Sequence, residues 1–65
     1  MPNYRVYFFD GHGHIDRRED FAVANDLAAI GFVEGIEVRV ARELWCGGRK
    51  VRQWKAHRVN GAAIP

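Results

Sequence analysis

The first apolar run of the chain is dense in aromatic and β-branched side chains, which is typical of a strand. It comprises residues 4–9, and Asp10-Gly11, a pair typical of hairpin turns, follows it. Residues 14–23 are more polar and predict a second strand. By the period of two, the apolar odd positions of this second strand share one face: Ile15, Phe21 and Val23. The pattern predicts a β-hairpin at the start of the chain.

The spacing of apolar residues changes to three and four after Asn25 and Asp26, two side chains suited to cap a helix N-terminus. The residues that recur at this spacing are Ala29, Ile30, Val33 and Ile36. They predict a helix over about residues 26–38. Apolar and charged residues also alternate over residues 36–40, so a strand there is the alternative. We favour the helix, because a sheet on its own would have nothing to cover its apolar face.

Two adjacent glycines, Gly47-Gly48, join two strand-like runs at residues 42–46 and 49–54. Glycine permits the positive φ angles of a type I′ turn, and a two-residue turn fixes the strand register. In this register Trp45 faces Lys50 and Leu44 faces Val51. One side of the hairpin then carries Leu44, Cys46 and Val51, and the other carries Glu43, Trp45, Lys50, Arg52 and Trp54.

The predicted elements follow the order β-β-α-β-β, which indicates an α+β fold: a four-stranded antiparallel sheet with one helix packed on one face. We expect a single domain over residues 1–65, with an ordered core at about residues 4–58 and a fraying tail at residues 60–65. A chain of 65 residues buries only a thin core. Its single cysteine excludes an internal disulfide, so close packing, a metal or a partner subunit must add stability.

The net charge of +2 is unevenly distributed along the chain. Residues 1–43 sum to −3 and residues 44–65 sum to +5. Such asymmetry indicates either an anionic partner or electrostatic pairing between the two halves, and we favour the pairing. No segment approaches the ~20 apolar residues of a membrane span, and the N-terminus lacks the apolar run of a signal peptide. With a single thiol, these features predict a cytoplasmic protein without a membrane partner.

Several short motifs taken together resemble a group of short bacterial proteins. Those proteins open with a Y-R-x-Y-F-x-D…G-H-I pattern and close with an E-L-W-x-G-x-R-x-V hairpin. The matching residues here are 4–10 with 13–15, then Asp26 with Ala29-Ile30, then 43–45 with Gly47 or Gly48, Arg49 and Val51. The resemblance covers about residues 4–54 and implies the same small domain. It implies no activity, because no biochemical function is assigned to the group. The polar turn usual before the closing hairpin is replaced here by residues 38–41.

Two candidate sites for chemistry have simpler interpretations. His12 and His14, in the segment D-G-H-G-H-I-D, are side chains that a divalent transition metal could use, with His57 as a third ligand. The alternative, which we favour, is a turn with solvated histidines. Cys46 has no partner at a fixed spacing and fits a small buried apolar role better than that of a nucleophile. We therefore expect no enzymatic activity, no cofactor and no small-molecule substrate.

The sheet face away from the helix is the feature that suggests a function. The residues predicted to bind there are Tyr7, Phe9, Trp45 and Trp54, with Lys50 and Arg52 at the rim. Monomers seldom leave such an aromatic patch bare. We expect it to mediate self-association, as a homodimer, or contact with another protein. The alternatives are single-stranded nucleic acid on the same face, and a monomer whose residues 55–65 fold over the patch.

Overall fold

Four strands and one helix follow one another in the expected order. A computed structural model describes residues 1–36 and 39–56. The elements are β1 (Asn3–Phe9), β2 (Ile15–Ala22), α1 (Asp26–Glu34), β3 (Arg42–Cys46) and β4 (Arg49–Trp54). The strands form one antiparallel sheet in the spatial order β2-β1-β3-β4. The predicted α+β fold, with its β-β-α-β-β order, is therefore confirmed. The expected tail at residues 60–65 lies outside the described residues.

The core lies between α1 and the two central strands of the sheet. Val6 of β1 and Leu44 of β3 are fully buried, as are Ala29 and Val33 on the facing side of α1. Tyr4 and Phe8 complete this cluster from β1. Full burial of a valine or leucine side chain contributes about 1.5–3 kcal/mol. Each of these few contacts is therefore a large share of the stability of so short a chain.

The helix begins where the sequence predicts and ends four residues earlier than expected. Asn25 is the N-cap, and its side chain accepts a hydrogen bond from the Ala28 N–H at 2.9 Å. After Glu34 the Gly35 N–H still donates to the Gly31 carbonyl at 3.1 Å, but the helix does not continue. Glycine is the weakest helix former after proline, which accounts for an end at this point. No described helix is long and apolar enough to cross a membrane.

The strand proposed as the alternative over residues 36–40 is not formed at the residues of that segment that the structure describes. Ile36, Arg39 and Val40 belong to neither a helix nor a strand, and residues 37 and 38 lie outside the described part. Ile36 packs against the core, and its N–H donates to the Val33 carbonyl at 3.1 Å. The segment leads the chain from the end of α1 into β3.

A bulge interrupts the pairing of β1 with β2. Phe8 lies opposite Arg17, but Phe9 lies opposite Ile15, so Asp16 is an extra residue in β2. An extra residue reverses the alternation of faces beyond it. Ile15 therefore lies on the other face of the sheet from Phe21. The expectation that they share a face is wrong for this reason.

A second bulge interrupts the pairing of β3 with β4. Trp45 lies opposite Lys50 as predicted, but Leu44 lies opposite Arg52 and not opposite Val51. Val51 is the extra residue and packs against the core. From Arg52 onward, each residue of β4 lies opposite the β3 residue one position later than predicted. The predicted register is thus right next to the turn and wrong beyond it.

The turn between β3 and β4 requires glycine at only one of its two positions. Gly47 has φ +62°, whereas Gly48 is not among the described glycines with positive φ. A positive φ at the first central residue alone matches a type II′ turn, not the predicted type I′ turn. Both types fit the twist of a hairpin.

Asp26, the first residue of α1, connects three elements. Its carboxylate accepts a hydrogen bond from the Tyr4 hydroxyl of β1 at 2.6 Å. It also accepts two from the Arg49 guanidinium of β4, at 2.8 and 3.1 Å. The bonds from Arg49 and Tyr4 lower the pKa of Asp26 from 3.8 to about 2. The bond to Asp26, together with burial, raises the pKa of Tyr4 from 10.0 to about 12.

The turn predicts different effects for alanine at its two glycines. An added Cβ meets nothing within 4 Å at either position, so backbone conformation alone separates them. Gly47→Ala should lower the free energy of unfolding by about 1–2 kcal/mol, because φ +62° is costly for a residue with a side chain. Gly48→Ala should change it by less than about 0.5 kcal/mol. Urea unfolding of both variants measures the difference. Equal losses would contradict the turn assignment.

The lowered pKa of Asp26 predicts a stability contribution that depends on pH. A carboxyl whose pKa falls on folding stabilises the folded state above its unfolded pKa, here 3.8. That contribution is lost as the pH falls through about 2. The wild-type chain should therefore be more stable than Asp26→Asn above pH 4, and the gap should narrow between pH 4 and pH 2. Urea unfolding across this range tests the prediction, with Asp16→Asn as the control. A gap that does not change with pH would contradict it.

Candidate interaction surface on the uncovered side of the sheet

The side of the sheet opposite α1 has no helix or strand packed on it within residues 1–36 and 39–56. We call this side the open face. Side chains that alternate with the buried residues of β1 and β3 point to it. By strand register the open face consists of Asn3, Arg5, Tyr7 and Phe9 from β1, Ile15, Arg18, Asp20 and Ala22 from β2, Glu43 and Trp45 from β3, and Lys50 and Gln53 from β4.

Two shallow depressions lie side by side on the open face and share Tyr7, Trp45 and Gly47 as their common boundary. The first, of about 470 Å³, is also lined by Arg5 and Asp20. The second, of about 480 Å³, is lined in addition by Phe9, Ile15 and Glu43. Tyr7, Phe9 and Trp45 are each half-buried, and Ile15 is 58% exposed. The surface is therefore uneven and largely aromatic at its centre.

The Arg5 guanidinium neutralises a carboxylate on the open face. Its Nε donates to Asp20 Oδ1 at 2.7 Å across the β1–β2 pair. Tyr7 and Asp20 together raise the pKa of Arg5. The bond from Arg5 in turn lowers the pKa of Asp20. This pair stays ionised over the neutral pH range and has no net charge.

Glu43 organises the other polar contacts of the open face. The indole Nε1–H of Trp45 donates to Glu43 Oε1 at 3.0 Å, which holds the ring along β3. Lys50 Nζ lies 3.7 Å from Glu43 Oε2 and 5.8 Å from the centre of the Trp45 ring. Lys50 also donates to Gln53 Oε1 at 2.9 Å. Two of the cations that border the aromatic centre, Arg5 and Lys50, thus already have a carboxylate as partner.

Four of the six residues predicted to form this surface lie on it, namely Tyr7, Phe9, Trp45 and Lys50. Trp54 does not: it lies opposite Arg42, packs against the core, and donates from Nε1 to Glu34 Oε2 at 3.3 Å. Arg52 lies opposite Leu44, also on the helix side of the sheet. The bulge at Val51 is the physical reason for both corrections.

The open face also contains residues that the sequence analysis did not assign to it. Ile15 reaches this face because of the bulge at Asp16, for which the sequence carries no local signal. Asp20 is placed opposite Arg5 by the β1–β2 register. That pairing follows from the hairpin once its register is known, so opposite charges at paired positions are the signal that could have identified it.

The two edges of the sheet are protected against pairing with another strand. The edge strand β2 carries five consecutive charged residues, Asp16, Arg17, Arg18, Glu19 and Asp20. The other edge strand, β4, contains a bulge and three cations. Charges and bulges are the usual devices that prevent edge-to-edge association.

The turn between β1 and β2 is organised by Asp10. Its Oδ1 accepts hydrogen bonds from the backbone N–H groups of His12 and His14, at 2.8 and 3.0 Å. The two imidazole rings lie 6.5 Å apart. Within residues 1–36 and 39–56, no three His, Cys, Asp or Glu side chains are grouped as a metal site would need. His57, the suggested third ligand, lies outside the described residues.

Cys46 is half-buried and packs against the core on the helix side of β3, as the sequence predicts for a small apolar residue.

No protein-family model, no curated protein and no solved structure matches the chain. The resemblance to short bacterial proteins therefore stays a prediction.

Proposed function

We propose that this chain is a non-enzymatic, cytoplasmic protein-interaction module that associates with a second copy of itself through the open face. In the proposed dimer, two sheets pack face to face about a two-fold axis, and each copy presents the same surface. The observation that carries the proposal is the cluster formed by Tyr7, Phe9, Trp45 and Ile15 on a face without a covering element among the described residues.

The thin core supports this proposal. One helix and one side of the sheet provide six buried apolar residues. Domains of this size gain little stability from their own core and commonly gain the rest from association. A second sheet packed on the open face would remove the aromatic side chains of both copies from water. Trp45, at the boundary of both depressions, is the expected central anchor.

The charges of the open face favour a second copy over a polyanion. Arg5 is paired with Asp20 and Lys50 with Glu43, whereas Arg18 has no carboxylate within ion-pair distance among the described residues. Three cations and two carboxylates leave the open face nearly balanced, so it repels its own copy only weakly. A nucleic acid on this face would have to compete with the carboxylates for two of the three cations. Nucleic-acid binding on the open face is therefore the weaker alternative.

The proposal predicts that Trp45→Ala weakens association. Loss of a central aromatic anchor costs about 2 kcal/mol or more, which raises the dissociation constant about 30-fold. Sedimentation equilibrium over micromolar to millimolar protein concentration measures this change. Trp45→Phe should retain most of the association, because it keeps a ring at the centre and loses only the bond to Glu43.

Leu27→Ala is the matched control, because Leu27 is 79% exposed but lies on α1, on the other side of the molecule. It should leave the dissociation constant unchanged. A wild-type chain that is purely monomeric at high micromolar concentration would overturn the proposal. So would a loss of association in Leu27→Ala as large as that in a folded Trp45→Ala protein.

A further inference from the structure

Aromatic rings and guanidinium groups alternate across the helix side of the sheet, at the end where β1 and β4 finish and β2 and β3 begin. Register places Arg17, Phe8, Arg42 and Trp54 in one row across all four strands. The Arg17 guanidinium lies 4.4 Å from the centre of the Phe8 ring. The Arg42 guanidinium lies 5.2 Å from the centre of the Trp54 ring, and that of Arg52 lies 5.9 Å from it.

The cations around Trp54 differ from most others in the described chain. The side chains of Arg5, Arg17, Arg49 and Lys50 each lie within ion-pair distance of a carboxylate. Arg42 and Arg52 have no such partner among residues 1–36 and 39–56. Within the same residues, the Glu34 carboxylate accepts a hydrogen bond from the Trp54 N–H. Two guanidinium groups and one carboxylate give the described part of this corner a net positive charge.

Arg42 has hydrogen-bonding capacity that its described neighbours do not use. Its Nη1 donates to the Val40 carbonyl at 3.1 Å, but its Nε is buried and has no hydrogen-bond partner in the described part of the chain. An unsatisfied donor on a charged group costs more than one on a neutral group. A bound oxyanion would not reach the buried Nε, but it would neutralise the charge of the guanidinium group and accept hydrogen bonds from its terminal N–H groups.

We propose that Arg42, Arg52 and Trp54 form a binding site for single-stranded nucleic acid. We call this site the Trp54 corner. Guanidinium groups recognise phosphate oxygens in pairs, and their planes also stack on bases. An indole flanked by cations adds an aromatic surface of the kind that holds unpaired bases. An acidic peptide would satisfy the charge, but a nucleic acid supplies a planar base with every phosphate, so the aromatic groups favour a nucleic acid. The site lies on the opposite side of the sheet from the open face and does not depend on self-association.

The test uses the full chain and a fluorescently labelled single-stranded DNA of ten nucleotides, with binding measured by anisotropy at several salt concentrations. Affinity should fall as salt rises, because phosphate contacts release counterions. Arg52→Gln should weaken binding about tenfold at low salt and reduce the salt slope by about 0.7, the value for one phosphate contact on a single strand. Arg52→Lys should keep the salt slope while losing part of the affinity, because it retains the charge without the planar group.

Arg17→Gln is the matched control. Arg17 is an exposed arginine on the same side of the sheet as Arg52, but it lies on the opposite edge strand, β2, where its Nη2 is 3.7 Å from Glu19 Oε2. Its substitution should leave affinity and salt slope unchanged. Absence of binding at low salt would overturn the proposal. Equal losses in Arg17→Gln and Arg52→Gln would also overturn it, as would displacement of the DNA by polyglutamate as readily as by unlabelled DNA. Arg52 is exposed, so its substitution should leave the fold intact. Arg42→Gln serves as the second variant.

Discussion

One short helix covers a sheet wider than itself, and this constraint determines most of the molecule. A helix with its side chains is about 10–12 Å wide, whereas four strands at about 4.8 Å spacing occupy about 19 Å. Complete burial is accordingly concentrated under α1, at Val6 of β1 and Leu44 of β3. Other groups cover the flanks: Phe21 of β2 stacks on Phe32 at 4.2 Å, and Arg42 lies against Trp54 of β4. The second side of the sheet has no layer of its own in the described chain.

The order of elements could be predicted because its signals are local. The aromatic run before Asp10-Gly11 specifies a strand and a turn through neighbouring residues. Asn25 specifies the start of α1 by a hydrogen bond that spans only three residues. Gly47 specifies the second hairpin through its own backbone conformation. The central part of the candidate surface, Tyr7 and Trp45, follows from these elements by simple alternation.

What could not be predicted depends on pairing between distant residues. Asp16 and Val51 are extra residues only relative to the strands opposite them, and neither residue type marks a bulge. Each bulge nevertheless decides which side of the sheet an aromatic or apolar residue reaches. Ile15 is brought to the open face, and Trp54 is taken from it. The assignment of residues to the predicted surface is therefore wrong only beyond a bulge. The same bulge places Trp54 and Arg52 together on the helix side, where they form the Trp54 corner.

The bonds at Asp26 also have a consequence for the order in which the protein folds. Tyr4 lies 22 residues before Asp26 and Arg49 lies 23 residues after it, so both bonds bridge connections far longer than either hairpin turn. Contacts with such large sequence separation carry a high loop-closure entropy and tend to form after local ones. We therefore expect these bonds to form late in folding, so that their loss mainly accelerates unfolding and leaves the refolding rate nearly unchanged.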